Sequence, residues 1–223
     1  FAQFLIVMAY DASTNLNVPC AWALMSARDE YLYCEVLHAL IVSLRYHWSP
    51  RAVVVDFEKA LLKAVQYQFS NSRITGCWFH FRQALHKKMV KFGMSHDVAA
   101  LMMQRFERLT QCSEDDFLMK VAEIEAETSP STATMSRFWK YFRTTWLVRF
   151  PSSLWRNPKG TPADIARTNN CLERYNRRIG ERFAHAHPSL MSFLSVIREE
   201  EDHFSRLIRG IRSGSIPYTV EFE

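Results

Sequence analysis

Glycine is scarce in this chain, with six in 223 residues. That scarcity argues against a loop-dominated or repeat β architecture, and no internal repeat is present. No segment has eighteen uninterrupted apolar residues, so a membrane partner is not expected. The apolar run Phe1–Tyr10 is too short to span a bilayer and lacks a basic flank and a cleavage site, so it reads as a strand and not a signal peptide. Cysteine is also sparse. The five at positions 20, 34, 77, 112 and 171 are odd in number and scattered, with no ribbon or finger spacing, which points to a reducing compartment. The chain does not start with Met, which suggests a piece of a longer protein.

Apolar residues, by contrast, make up 48% of the chain, with sixteen Phe and six Trp. This is enough for a packed interior in one domain with an insertion or in two small ones. The net charge of +5 is modest, so its distribution matters more than its total. Lys140 to Arg182 holds ten basic residues against Asp164, Glu173 and Glu181, a candidate phosphate-binding surface. Arg82 to Arg108 adds six against Asp97 and Glu107. Glu114 to Glu127 carries six acids and Lys120, a face expected to point away from any polyanion. Each run also has the plainer reading of a solvated helix face.

The most pointed feature is Val53-Val54-Val55-Asp56. Consecutive apolar residues suit a strand covered on both faces, and an acid at its tip stands at the carboxyl edge where open α/β sheets place their chemistry. Alternatively, Asp56 simply starts the next helix, whose apolar positions recur at spacings of three and four from Phe57 to Phe69. Along the chain the pattern predicts a hairpin over 1–25, a helix through Tyr33 to Leu44, the strand 52–55, the helix 58–69 and a short strand over 74–79. After that come helices only: 83–91, 98–110, 115–127, an aromatic helix with Phe138, Trp139, Phe142 and Trp146, then 169–183 and 189–209. Ser129-Pro130-Ser131 reads as a linker. The aromatic helix is expected to pack the interior.

Cys77 and His80 have the spacing of half a zinc site, but a closed tetrahedral site needs two more ligands. His86, His96 and Cys112 are available, though without finger spacing. Three roles stay open for the pair: a structural brace, a DNA-facing or active-site role and, last, zinc binding. His185 and His187 read as a polar turn. Glu173 sits in the first turns of a helix opened by Thr168-Asn169-Asn170, on one face with Asn169, Asn176 and Arg177. It can equally form an ordinary i to i+4 ion pair with Arg177.

Taken in order, Phe1-Ala2-Gln3, Val18-Pro19-Cys20-Ala21-Trp22-Ala23-Leu24, Asp56-Phe57-Glu58-Lys59-Ala60-Leu61, Gly76-Cys77-Trp78-Phe79-His80-Phe81-Arg82-Gln83-Ala84 and the Thr168 to Glu173 stretch resemble the Mutator-like element (MULE) transposases of the DDE/D superfamily. The resemblance spans about residues 1 to 200. It implies an α/β fold: an RNase H-like mixed sheet flanked by helices, the first strand missing, with an all-helical insertion before the last catalytic helix. The implied domains are a partial core over 1–82, the insertion over 83–166, core helices over 167–212 and a tail over 213–223. Asp56 and Glu173 correspond to the family's second Asp and final Glu, catalytic residues and metal ligands for Mg²⁺ or Mn²⁺ in a two-metal site. Cys77 and His80 belong to the family's Cys-x-x-His signature. Arg167, Arg174, Arg177 and Arg178 are the expected DNA contacts. The implied activity is DNA cleavage and strand transfer in a nuclear protein whose partner is DNA, and homo-oligomerisation stays open. The family's first Asp is absent from this chain, so the polypeptide alone is expected to be inactive. The alternative is a domesticated, catalytically inactive DNA-binding or transcription-regulatory relative.

Overall fold

A computed structural model of the chain describes residues 2–128, 133–156, 170–183 and 188–217. The linker 129–131, the residues Thr168 and Asn169 before the last acid, and Arg167, His185 and His187 lie outside the described residues. Two compact units emerge. The first combines residues 1–43 with 170–223, and the second is 44–169.

In the first unit, β1 (Gln3–Asp11) and β2 (Leu16–Met25) form an antiparallel hairpin. Its turn is built by Asp11, whose carboxylate accepts from the Ser13 backbone and hydroxyl and from the Thr14 hydroxyl. Asn15 completes the reversal at a φ of 55°, a left-handed conformation that Asn tolerates. The register slips between Val7 and Met8, so that Met8 faces Pro19 and Cys20 is left as a bulge. Helix α1 (Glu30–Ser43) begins where Asp29 accepts from the Leu32 N–H.

Two further helices of this unit, α7 (Asn170–Glu181) and α8 (Leu190–Arg212), close the core. Ser189 caps α8 by accepting from the Ser192 N–H. The buried stripe of α8 is Phe193, Val196, Glu200, Phe204, Leu207 and Ile211, with the three- and four-residue spacing of one helix face. Together with Tyr175 and Ile179 of α7, Val196, Phe204, Leu207 and Ile211 form one core with Ile6 and Leu16 of the hairpin, and Phe193 meets Phe4 edge-on.

The second unit opens with β3 (Ala52–Val55), α2 (Lys59–Gln68) and β4 (Arg73–Gly76), in which β3 and β4 pair in parallel. The predicted strand over 74–79 is corrected here: it ends at Gly76, and α3 (Trp78–Lys91) starts at once, with Cys77 as its N-cap residue. The aromatic run imitates a strand locally. Helical period is what buries Trp78, Phe81, Leu85 and Met89 on one face.

Beyond α3 come α4 (His96–Leu109), α5 (Glu114–Thr128) and α6 (Ala133–Phe142), the last continuing as a π-helical segment Arg143–Arg149 and a 3₁₀ turn Ser152–Leu154. Phe138, Trp139, Phe142 and Trp146 are all buried, so the aromatic helix does pack the interior. The Phe81 ring stacks on Trp155 at 4.6 Å and meets Trp146 edge-on at 4.7 Å. These rings fasten the start of α3 to the helical segment, which is why the second unit contains both β3–β4 and 83–166 where the sequence suggested a boundary at 82.

Candidate functional site: the carboxyl ends of β3 and β4

Parallel pairing brings the ends of β3 and β4 side by side. Val55 pairs with Gly76, and the Cys77 N–H donates to the Val55 carbonyl at 2.7 Å. The residues that leave the two strands, Asp56 and Cys77, are therefore neighbours. His80 follows Cys77 by three residues on α3, one helical turn away and on the same face. One ligand atom each of Asp56, Cys77 and His80 lies within 4.8 Å of the others. Asp56 is not the N-cap of α2; that position is held by Glu58, two residues on.

Within the cluster, His80 Nδ1 lies 2.9 Å from Asp56 Oδ1. Cys77 is fully buried, while the His80 and Asp56 side chains keep 31% and 47% exposure. The hydrogen bond to Asp56, helped by the Cys77 side chain, raises the His80 imidazole to about 10 against the opposing pull of partial burial. At neutral pH His80 is therefore an imidazolium, and it holds one oxygen of Asp56 in a fixed direction.

Phe57, the next residue, turns its ring under β4. A Cβ at position 76 would stand 2.3 Å from its Cζ, so the glycine lets the ring lie against the strand. That ring meets Trp146 at 4.8 Å and Phe150 at 5.3 Å, both edge-on. The loop carrying Asp56 is thus anchored on both sides, by the β3 ladder and by an aromatic cluster.

Glu173 stands in the first turn of α7, half-buried, in the other unit. Arg174 and Arg177 are exposed on the same helix. Arg178 is paired with the Glu200 carboxylate and lies over the Tyr175 ring. Arg182 also reaches Glu200, at 2.6 Å. Glu200 is 1% exposed, and burial raises the Tyr175 phenol, which accepts a hydrogen bond from Trp22 Nε1 at 2.9 Å.

Several charges of the basic runs are also matched internally. Arg156 is buried, pairs with Glu114 at 2.6 Å and donates to the Cys112 and Ser113 carbonyls. Arg143 meets Glu125, and Arg105 meets Glu127. Counting charge by segment missed this, because the acids of α5 partner basic residues up to 42 positions away.

The donor chemistry tests whether Mg²⁺ or Mn²⁺ fits. Asp56 supplies the hard oxygen such ions take, but the atoms converging with it are a sulfur and an imidazole nitrogen. A Mg²⁺ pair needs an oxygen-rich shell. Within the second unit the described residues do not provide one. His86, His96 and Cys112 take no part in the cluster.

Residues 1–84 match the MULE transposase domain family. That segment runs from β1 into α3 and includes Asp56, Cys77 and His80, whereas Glu173 lies beyond it. The match indicates a transposase-related function for that segment. No curated protein matches it. Among the described residues, no helix is long and apolar enough to cross a membrane.

Proposed function

We propose that the chain is part of the catalytic region of a MULE-type DNA transposase, which in the intact protein cuts and rejoins DNA with divalent-cation help. In this reading Asp56 and Glu173 are two of the cation-holding carboxylates, and the ions they serve are Mg²⁺ or Mn²⁺. The observation that carries it is the placement of Asp56 inside the family match, at the carboxyl end of a parallel strand pair, with His80 fixing the direction of one carboxylate oxygen. An RNase H-like fold belongs to the same reading; among the described residues β1–β2 form a two-stranded antiparallel sheet and β3–β4 a two-stranded parallel one, both within the family match. Arg174 and Arg177 are the residues we assign to DNA phosphates, and nuclear residence follows from a chromosomal substrate.

The test is nicking of supercoiled plasmid by the intact transposase with Mg²⁺ or Mn²⁺. Asp56→Ala and Glu173→Ala are each expected to abolish cleavage while leaving DNA retention in place. Undiminished nicking by either variant refutes the assignment. One observation favours a second reading, a DNA-binding and transcription-regulating descendant without catalysis: the neighbours of Asp56 are a thiol and an imidazole instead of further carboxylates. Salt-sensitive DNA binding with no metal-dependent nicking, even in the intact protein, would select it.

A further inference from the structure

We propose that Asp56, Cys77 and His80 form a three-ligand site for a thiophilic divalent cation, Zn²⁺ foremost. Sulfur, imidazole nitrogen and carboxylate oxygen are the three ligand types zinc takes, and four-coordinate zinc with three protein ligands leaves one position for solvent. Around one tetrahedral ion the ligand atoms stand roughly 3.2–3.7 Å apart. The three atoms here already lie within 4.8 Å, so small side-chain rotations close the gap, and the ion displaces the extra His80 imidazolium proton and the Cys77 thiol proton to solvent as it binds.

The backbone fixes this convergence. Val55–Gly76 pairing and the Cys77 N–H to Val55 carbonyl bond hold the two strand ends together, and one turn of α3 delivers His80. The Cys77 sulfur lies on the buried side, whereas Asp56 and His80 are partly exposed. An ion can enter from the Asp56 side and keep a water there. The soft sulfur selects against Mg²⁺ and Ca²⁺, which prefer oxygen shells. Zinc binding at this cluster uses none of the residues of α7 but shares Asp56 with the Mg²⁺ or Mn²⁺ assignment above, so it is read by zinc retention and the cobalt spectrum, which are measured without DNA cleavage.

The full chain, purified with Zn²⁺ and freed of loose metal by gel filtration, is expected to retain one zinc by mass spectrometry. Replacement by Co²⁺ is expected to give a thiolate-to-cobalt charge-transfer band and the visible bands of a tetrahedral ion. Asp56→Asn, Cys77→Ser and His80→Gln should each weaken Zn²⁺ binding by at least about tenfold, and Cys77→Ser should erase the charge-transfer band. Cys77 is buried and its variant can misfold. Asp56→Asn, at a half-exposed position and checked for wild-type circular dichroism, then carries the decision together with the wild-type cobalt spectrum. A wild-type chain that retains no zinc, a cobalt complex without thiolate character, or a folded Asp56→Asn variant of unchanged affinity would overturn the proposal.

Discussion

Asp11 directs four donors with one carboxylate: the Ser13 backbone and hydroxyl, the Thr14 hydroxyl and Arg212. The Ser13 hydrogen bonds, with those of Thr14 and Arg212, hold its carboxyl below the ordinary value of 3.8, outweighing desolvation. A carboxyl whose folded pKa is depressed stabilises the fold above its unfolded value and loses that contribution as pH falls through the folded one. Wild type should therefore exceed Asp11→Asn in thermal midpoint at neutral pH, and the difference should vanish in strong acid. A pH-independent difference would mean that the shape of the side chain matters and its charge does not. Glu200 gives a companion case with a larger stake, because it is buried between Arg178 and Arg182. Glu200→Gln takes the buried counter-charge from Arg178 and leaves Arg182 with the exposed Glu199 alone, and should cost about 1–3 kcal/mol in urea unfolding.

At the level of elements, the tightest constraint lies where β4 passes over Phe57. Gly76→Ala places a methyl group against a ring already packed on Trp146 and Phe150. The ring can yield only by disturbing its neighbours. The expected loss is about 1–3 kcal/mol of stability, read as a lower urea midpoint with an unchanged slope. This crowded junction also separates what the sequence disclosed from what it concealed. β3 was legible because its valines are consecutive, and α8 because its apolar residues recur at three and four. The end of β4 was not, since Cys77-Trp78-Phe79 satisfies strand composition equally well, and only the register Val55 to Gly76 decides where pairing stops. Asp56 and the Cys77–His80 pair were each visible as residues of interest. Their meeting depends on two short strands of equal reach, a tertiary fact that spacing of twenty-one positions does not encode. Likewise Arg156 looked like part of a basic surface until its partner Glu114 and its burial came into view.

For the molecule as a whole, the open quantity is how much of its positive charge is offered to DNA. The formal excess is +5, yet Arg105, Arg143, Arg156, Arg178 and Arg182 already face carboxylates within the fold. An arginine held by a buried acid releases few counterions on binding DNA, whereas Arg174 and Arg177 are exposed on α7. Each phosphate neutralised adds about 0.9 to the slope of log affinity against log salt. Arg174→Ala with Arg177→Ala should therefore lower that slope by roughly two and weaken binding alike for all duplex sequences. Arg178→Ala should leave the slope nearly unchanged while reducing stability, because its work is done against Glu200. Fluorescence anisotropy on a short duplex over a salt series distinguishes the two classes. If the double variant keeps the wild-type slope, α7 does not touch DNA, and the phosphate contacts must come from another surface of the chain.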